Sequence, residues 1–333
     1  MAWAVPKYSR QEINSAAKVL VREMQAEGSP WDDMKRWQQW SRALEVINNW
    51  RSAHGYPLNT FQVNLRHAAR NIDSTALIAQ RTKRLVSIAQ KLNRFPDMKL
   101  SQMQDIGGCR AIVKSAPAVK KLAEFYEKTS RVKHKLASCD DYIAHPQKSG
   151  YRGIHLVYRY YSDKGTTKIY NDLKIEMQLR SQYQHAWATA VETVGMFVRQ
   201  ALKSSMGEAD WLRFFALMSS AIALREGTPL VPETPVMRAD LIAELDHFTD
   251  KLNVENRLRA YSDALRTIEE GPADAHYYLL SLDPNQSQLA VKAFTLGQVD
   301  QAEKEYATAE TYVKTHPGTD AVLVAVDSVA ALQ

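Results

Sequence analysis

Short runs with a two-residue alternation of apolar and polar side chains are joined by helical stretches between residues 105 and 181 of this 333-residue chain. The strand-like runs read CRAIVKS, RVKHKLAS, GIHLVYRYYS and TKIYNDLKIEMQLR, and the helical run between the first two reads APAVKKLAEFYEKT. Alternation with period two is typical of half-buried strands, whereas a period near 3.6 indicates an amphipathic helix. The pattern predicts an α+β fold in which a mixed β-sheet is flanked by helices.

Helical periodicity dominates both sides of this central segment. It predicts helices over residues 9–28, with Ser9 as the N-cap, over 31–55, and over one long stretch at 61–94 that ends before Pro96. A Gly-Ser-Pro turn at residues 28–30 separates the first two helices. Further helices are predicted over 181–205, 208–227 and 238–271.

A Gly-Pro pair at residues 271 and 272 marks a change in the character of the chain. The segment after it reads as two strands around a PNQS turn, a helix and a last strand, which predicts a ββαβ unit. The predicted domains are residues 1–271, divided into a helical part (1–100), an α/β part (101–205) and C-terminal helices (206–271), and residues 273–333. The closing residues VDSVAALQ read as the start of a helix, which indicates a chain that continues.

Charge and composition limit the class of protein. The formal net charge is +6 and the pI is near 9.1, but the eight acidic and three basic residues after residue 272 leave +11 for residues 1–272. Such an excess favours a polyanionic partner or substrate. Two cysteines without a CxxC pair support no disulfide framework, and no run reaches the roughly 18 apolar residues of a membrane helix. We therefore expect a cytoplasmic protein that does not interact with a membrane.

Two acidic residues stand in strand-like surroundings, Asp105 in QDIGGCRAIV and Glu176 in KIEMQLR. A carboxylate beside buried segments costs several kcal/mol unless it is paired, hydrogen-bonded or bound to a metal. Each could form a structural ion pair with a nearby arginine, Arg110 or Arg180, or each could do chemistry. The common phosphate-loop, zinc-protease, hydrolase and kinase signatures are absent from the sequence, so nucleotide chemistry needs another scaffold.

Cationic residues precede these acids in RTKRLVSIAQK, where Arg81, Lys83, Ser87 and Lys91 are predicted to lie along a helix end. Alone they would be read as a solvated helix face. Opposite two carboxylates they would form a phosphate clamp. The loop QKSGYRG adds Lys148 and Arg152 together with Tyr151, a flat platform on which a base could stack, although a packed turn residue would look the same.

In this order and spacing, the stretch from Arg81 to Lys91 and the motifs DIGGCR, GYRGIH and IEMQLR resemble the synthetase domain of the RelA/SpoT family over about residues 60–225. The resemblance implies a RelA/SpoT nucleotidyltransferase-like mixed sheet and transfer of pyrophosphate from ATP to a nucleotide 3′-hydroxyl. It implies ATP binding by Arg81, Lys83, Ser87, Lys91 and Arg110. It implies acceptor binding by Lys148, Tyr151, Arg152, His155, Gln178 and Arg180. It makes Asp105 and Glu176 the catalytic pair that holds Mg²⁺, with Glu176 activating the acceptor hydroxyl.

One departure from the family pattern concerns the acceptor loop. The family often has lysine directly after the loop proline, whereas Gln147 stands here and Lys148 follows. The lack of a His-Asp dipeptide indicates that the hydrolase half of long family members is absent.

The resemblance leaves the acceptor open. Short family members include alarmone synthetases acting on GDP or GTP and toxic enzymes that modify the tRNA 3′-CCA end. The first helix and the ββαβ tail are similar to fused toxin–antitoxin chains of the CapRel type, in which a C-terminal domain restrains the synthetase until a phage protein is sensed. We therefore expect tRNA as acceptor, with GDP or GTP as the alternative.

Two other classes of function remain to be weighed. A catalytically inactive module that binds a nucleotide or a partner would not need both Asp105 and Glu176, and a general nucleic-acid-binding protein would explain the charge but not the acids. The tail could also be an oligomerisation element or a stabilising extension.

Overall fold

The computed structural model describes residues 3–26, 33–129, 132–201, 208–255, 257–259, 275–283, 288–298, 301–302, 304–306, 308–309, 312 and 320–325. The chain divides into two compact units. The first comprises Met1–His145 and Arg152–Tyr183, and the second comprises Pro146–Tyr151 and Gln184–Gln333.

The first unit is built on a five-stranded sheet of order β1-β2-β5-β4-β3. Its strands are β1 Leu77–Thr82, β2 Gly107–Val113, β3 Lys135–Asp141, β4 Ile154–Arg159 and β5 Lys174–Ser181. Only the β2–β5 pair is parallel, and the other three pairs are antiparallel, which makes the sheet mixed. The predicted α+β class and mixed sheet are confirmed.

Helices cover one side of this sheet and continue the core. They are α1 Arg10–Gln25, α2 Met34–Ala53, α3 Gly55–Ile72, α4 Leu85–Arg94 and α5 Ala116–Glu124. Ser9 caps α1 as predicted, because its hydroxyl accepts from Glu12 N while the Glu12 carboxylate accepts from Ser9 N. α3 packs on β1 and β2 and α5 on β4 and β5, so fully buried residues such as Leu65 and Leu122 join one hydrophobic cluster with the sheet.

The predicted long helix over residues 61–94 is wrong, because β1 lies inside it. The chain leaves α3 at Asp73, whose carboxylate accepts hydrogen bonds from the Thr75 amide and hydroxyl at 3.0 and 2.7 Å and from Lys114 N at 2.7 Å. These bonds tie the end of α3 to the end of β2. Residues 77–82 then pair with β2, a long-range interaction that overrides their helical periodicity.

Three other predicted boundaries differ from the structure. The second predicted strand starts at Lys135 and not Arg131. The last predicted strand of the sheet starts at Lys174, after a short 3₁₀ turn at Lys168–Tyr170 and a positive φ of 68° at Asp172. The helix predicted over 238–271 ends at Lys251, because Asn253 has a positive φ of 49°. Residues 254–255 and 257–259 are helical again.

The second unit contains α6 Gln182–Ala201 beyond its first two residues, α7 Glu208–Glu226, α8 Arg238–Lys251 and a three-stranded sheet. Its strands are β6 Ala275–Asp283, β7 Gln288–Thr295 and β8 Asp320–Ala325, with β6 in the centre and both pairs antiparallel. The described residues from 301 to 309, together with 312, are helical, in keeping with the predicted ββαβ order. Ala275 and Tyr278 are buried in one hydrophobic cluster with Trp187 and Trp211 of α6 and α7.

Some predicted features lie outside the described residues. They are the turn at 28–30, the hairpin turn at 284–287 and the domain boundary at 271–272. Within the described residues, none of the helices is both long and apolar enough to cross a bilayer.

Replacing Asp73 by alanine is expected to destabilise the first unit by about 1–3 kcal/mol, because three hydrogen bonds to a buried carboxylate are lost. Urea unfolding of Asp73→Ala against exposed Asp97→Ala as control measures the difference. The hydrogen bond from the Thr75 side chain contributes most to lowering the pKa of Asp73, so this stabilisation exists above the ordinary pKa of an aspartate and disappears as the pH falls through the folded-state pKa. Equal midpoints for the two variants at neutral pH would contradict the assignment.

Candidate active site

The two faces of the five-stranded sheet differ in polarity because side chains alternate along each strand. On β5, Ile175, Met177 and Leu179 are fully buried on the helix-covered face. Glu176, Gln178 and Arg180 therefore lie on the opposite face. Register brings further residues to this face, which we call the polar face: Arg81, Gly108, Arg110, His155, Glu176, Gln178 and Arg180.

The two glycines that begin β2 serve different faces. A Cβ on Gly107 would lie 2.8 Å from Ile175 Cδ1, so a larger residue there would require the end of the Ile175 side chain to shift. Gly108 pairs with Arg81 of β1 on one side and Glu176 of β5 on the other, and an added Cβ would meet only Glu176 O at 3.8 Å. Without a side chain at Gly108, the polar face has open space between the guanidinium-bearing strand and the carboxylate-bearing strand.

Glu176 is held by two polar neighbours. His155 Nδ1 lies 3.1 Å from Glu176 Oε1, and Gln178 Nε2 donates to Glu176 Oε2 at 2.8 Å. Only 14% of the Glu176 side chain is exposed. Burial acts to raise its pKa, but the interactions with His155 and Gln178 outweigh burial, so the pKa of Glu176 lies below its ordinary value. The carboxylate is therefore ionised at neutral pH.

Asp105 is held by two lysines of the predicted phosphate clamp. Lys83 Nζ donates to Asp105 Oδ2 at 2.7 Å, and Lys91 Nζ donates to Oδ1 at 3.0 Å. Burial again acts to raise the pKa of Asp105, but the two ammonium groups outweigh burial. The pKa of Asp105 therefore lies below its ordinary value. The carboxylate precedes β2, and its position relative to Lys83 is fixed because Lys83 N donates to Ile106 O at 2.8 Å.

The donor chemistry at this edge of the sheet fits Mg²⁺. Asp105 comes two residues before Gly107, which pairs with Ile175 next to Glu176, so the two carboxylates belong to the same end of the β2–β5 pair. The charge of Asp105 acts to raise the pKa of Glu176. Mg²⁺ sites commonly use one or two carboxylates, with water and substrate phosphates completing the shell. Across the described ranges, three or more His, Cys, Asp or Glu side chains never come together as a metal cage. Asp105 and Glu176 suit an ion that arrives with phosphates.

The remaining ATP-binding candidates lie on three elements. Arg81 is exposed on β1, Ser87 and Lys91 lie one turn apart on α4, and Arg110 lies on β2 beside Gln178 in the register. The prediction that Arg81 lies along a helix end was wrong, because Arg81 belongs to β1, the strand that follows the turn at Asp73. The change of element puts Arg81 in the same cross-strand row as Glu176.

The predicted acceptor residues are divided between the two units. Arg152, His155, Gln178 and Arg180 belong to the first, and Lys148 and Tyr151 to the second. Arg152 and Arg180 are 2% and 4% exposed, so both side chains are almost fully buried. Tyr151 is half-buried and packs against the hydrophobic cluster of the second unit.

The segment Pro146–Tyr151, which we call the 146–151 loop, is held by α6 and α7 of its own unit. Gly150 has a φ of 89°, and a Cβ there would lie 2.8 Å from Trp187 Cζ2. Ser219 Oγ donates to Gly150 O at 2.6 Å. Next to Gly150 in the loop, Lys148 Nζ forms an exposed ion pair with the carboxylate of Glu233.

Sequence reasoning missed three residues of these surroundings. Gly108 was seen only as part of a motif, and Gln178 was assigned to acceptor binding without its direct hydrogen bond to Glu176. Glu233 carried no signal, because its partner Lys148 is 85 residues away in the chain. For Gln178, the two-residue spacing from Glu176 was a usable signal.

Removing the imidazole in His155→Ala is expected to raise the pKa of Glu176, because burial and the charge of Asp105 remain while one lowering interaction is lost. A ¹³C NMR titration of the glutamate carboxyl carbons measures the change. His67→Ala, which removes an exposed histidine of α3, is the control. An unchanged Glu176 titration in His155→Ala would show that the contact does not affect ionisation.

Part of the chain that contains this site matches a known protein family. Residues 80–195 match a family described as "Region found in RelA / SpoT proteins". No curated protein sequence matches the chain.

Several solved structures resemble it. Small alarmone synthetase 1 from Bacillus subtilis bound to its product pppGpp has a TM-score of 0.46 and 23% identity, over 57% of this chain and 94% of that one. Small alarmone synthetase 2 from Bacillus subtilis has a TM-score of 0.44 and 16% identity, over 54% and 94%. A GTP pyrophosphokinase family protein from Streptococcus pneumoniae has a TM-score of 0.43 and 21% identity, over 57% and 91%.

The family match contains β2, β4 and β5, and with them Asp105, Glu176 and the lysines that hold Asp105. Residues 80–195 therefore form a region of the kind found in RelA and SpoT proteins, and this region contains both carboxylates of the candidate site.

Proposed function

We propose that this chain transfers the β,γ-pyrophosphate of ATP to a ribose 3′-hydroxyl, with Asp105 and Glu176 as the catalytic pair. The observation that carries the proposal is a pair of ionised carboxylates at one sheet edge, each partnered by cationic or proton-carrying side chains. In the reaction, a bond forms between the acceptor 3′-oxygen and the β-phosphorus. The bond from the β-phosphorus to the α,β-bridging oxygen breaks, and AMP leaves with that electron pair.

Lys83 and Lys91 would exchange partners when ATP binds. Both ammonium groups contact Asp105 in the free chain, and both are monodentate point charges on flexible stems. Phosphate oxygens can replace the carboxylate as their partners, with Arg81 and Ser87 adding contacts from β1 and α4. Mg²⁺ held by Asp105 and Glu176 would neutralise charge on the phosphates and favour attack at phosphorus.

Glu176 would orient the acceptor hydroxyl and accept its proton. Its lowered pKa keeps it ionised, which suits an acceptor of hydrogen bonds. His155 Nδ1, 3.1 Å from Glu176 Oε1, would donate a hydrogen bond to the ionised carboxylate and hold it in place. Gln178 holds the second carboxylate oxygen, which fixes the plane of the carboxylate.

The acceptor we propose is the 3′ end of tRNA, so that the reaction blocks translation and the chain acts as a toxin in anti-phage defence. The +11 excess over residues 1–272 supports attraction of a phosphate backbone. GDP or GTP is the second candidate, supported by the guanine nucleotide pppGpp named for the Bacillus subtilis synthetase and by the cationic residues, which suit a small nucleotide equally.

Glu176→Gln is expected to reduce pyrophosphate transfer at least about a hundredfold, because glutamine cannot accept the hydroxyl proton. The assay supplies γ-labelled ATP and Mg²⁺ with tRNA, GDP or GTP and follows the label. Exposed Glu124→Gln on α5 is the matched control and should behave as wild type. Label on tRNA supports the toxin, and label on GDP or GTP supports the alarmone alternative. Full activity of Glu176→Gln would contradict the role of this residue.

We further propose that the segment after residue 272 restrains the synthetase until a phage protein binds it. Supporting this, Tyr278 of β6 is buried in the same cluster as Trp187 and Phe215, and Gly150 of the 146–151 loop would clash with Trp187 if it carried a Cβ. The C-terminal sheet and the loop therefore pack against the same helices. Deleting the segment would expose this cluster, so point variants test the restraint better.

Tyr278→Ala is expected to raise the transfer rate per folded molecule, since it loosens the contact of β6 with α6 and α7 at a cost of about 3 kcal/mol in stability. Tyr278→Phe retains the packing and should behave as wild type. The initial rate is divided by the folded fraction from circular dichroism. A rate per folded molecule equal to wild type in both variants would contradict the restraint.

A further inference from the structure

The loop that connects α7 to α8 carries a glutamate whose backbone is held in place. Glu233 has a positive φ of 67°, which is uncommon for a residue other than glycine and indicates a constrained backbone. Its carbonyl accepts from Arg213 Nη1 at 2.8 Å, and Arg213 is itself held by two hydrogen bonds to Glu244, at 2.6 and 2.8 Å.

The neighbouring residues anchor the same loop to α7. Ser220 is fully buried, and its hydroxyl accepts from Val231 N at 2.9 Å and lies 2.7 Å from Thr234 Oγ1. Glu233 is thus flanked by two bonds to Ser220 and fixed through its carbonyl by Arg213. The position of its backbone is set by α7 and α8, without help from its own side chain.

The 146–151 loop is fixed to the same helix. Ser219, the residue before Ser220, donates to Gly150 O at 2.6 Å. Lys148 and Glu233, which form the ion pair between the two loops, are therefore brought together by adjacent residues of α7. The lysine and glutamate side chains are 74% and 68% exposed, so the pair adds little to folding stability.

From this geometry we infer that Glu233 determines acceptor specificity by neutralising Lys148, which weakens binding of nucleotides with several terminal phosphates. The inference rests on the proposed function and on acceptor binding by Lys148, which the family resemblance implies. A free guanine nucleotide presents a chain of terminal phosphates, whereas the last nucleotide of tRNA is joined through one phosphodiester. A carboxylate paired with the loop lysine repels the first more than the second.

Binding of guanosine, GMP, GDP and GTP to the full-length chain, measured by calorimetry with a non-hydrolysable ATP analogue, tests the inference. Glu233→Gln should tighten GDP and GTP binding by about three- to tenfold, leave guanosine unchanged, and lose most of this gain in 0.5 M salt. Asp246→Asn, which removes an exposed carboxylate of α8, is the matched control and should change nothing.

A second variant separates a specific effect from a general change in charge. In a Lys148→Met background, Glu233→Gln should give no further gain, because the carboxylate acts through the lysine. The inference is overturned by a gain that is the same for guanosine and GTP, by a gain that survives in Lys148→Met, or by no gain at all. Because binding is measured without transfer, failure of the proposed reaction with tRNA would be seen separately in the labelling assay.

Discussion

Two partly buried carboxylates, one on the polar face of the sheet and one just before β2, impose the constraint around which the first unit is organised. A carboxylate that is 14% or 18% exposed is destabilising unless polar groups surround it. The chain meets this need differently at the two positions. Glu176 is partnered by Gln178 of its own strand and by His155 of the neighbouring strand. Asp105 instead accepts hydrogen bonds from one lysine of the β1–α4 connection and one lysine of α4. The polarity of one sheet face follows from these pairings.

The pairings also keep the site ready for phosphates. Both pKa values are lowered in spite of burial, so both carboxylates carry charge before any ligand arrives. The lysines around Asp105 are held near the sheet edge by that charge, which reduces the conformational freedom that they would lose on binding. A ligand that brings its own negative groups and a cation can replace these contacts one for one. Chemistry of this kind is largely positioning and charge neutralisation.

The sequence predicted the structure correctly where the candidate functional residues lie in or beside segments with a clear local pattern. The strand that carries Glu176 and the strand that follows Asp105 both alternate clearly, and an acid in or beside such a strand is conspicuous. The pattern failed for β1, because LIAQRT is short, lies between two amphipathic helices, and becomes a strand only by pairing with β2. The bond between Asp73 and Lys114 N at the end of α3 reaches 41 residues along the chain, so a local interpretation could not find it. Placing Arg81 on a helix was a consequence of that single missed turn.

The residues proposed to set acceptor specificity lie on different elements from the residues proposed to perform catalysis. The family match ends at residue 195, and within it lie the carboxylates, the lysines and Lys148. Arg213, Ser219 and Ser220, which fix Gly150 and Glu233, all lie on α7, beyond the match. The conformation and effective charge of the 146–151 loop are therefore set by a helix that shares none of the catalytic residues. An enzyme built in this way can change its acceptor through substitutions on α7 and the loop after it while its chemistry stays the same, because the groups that perform transfer and those that fix the loop lysine contact different elements.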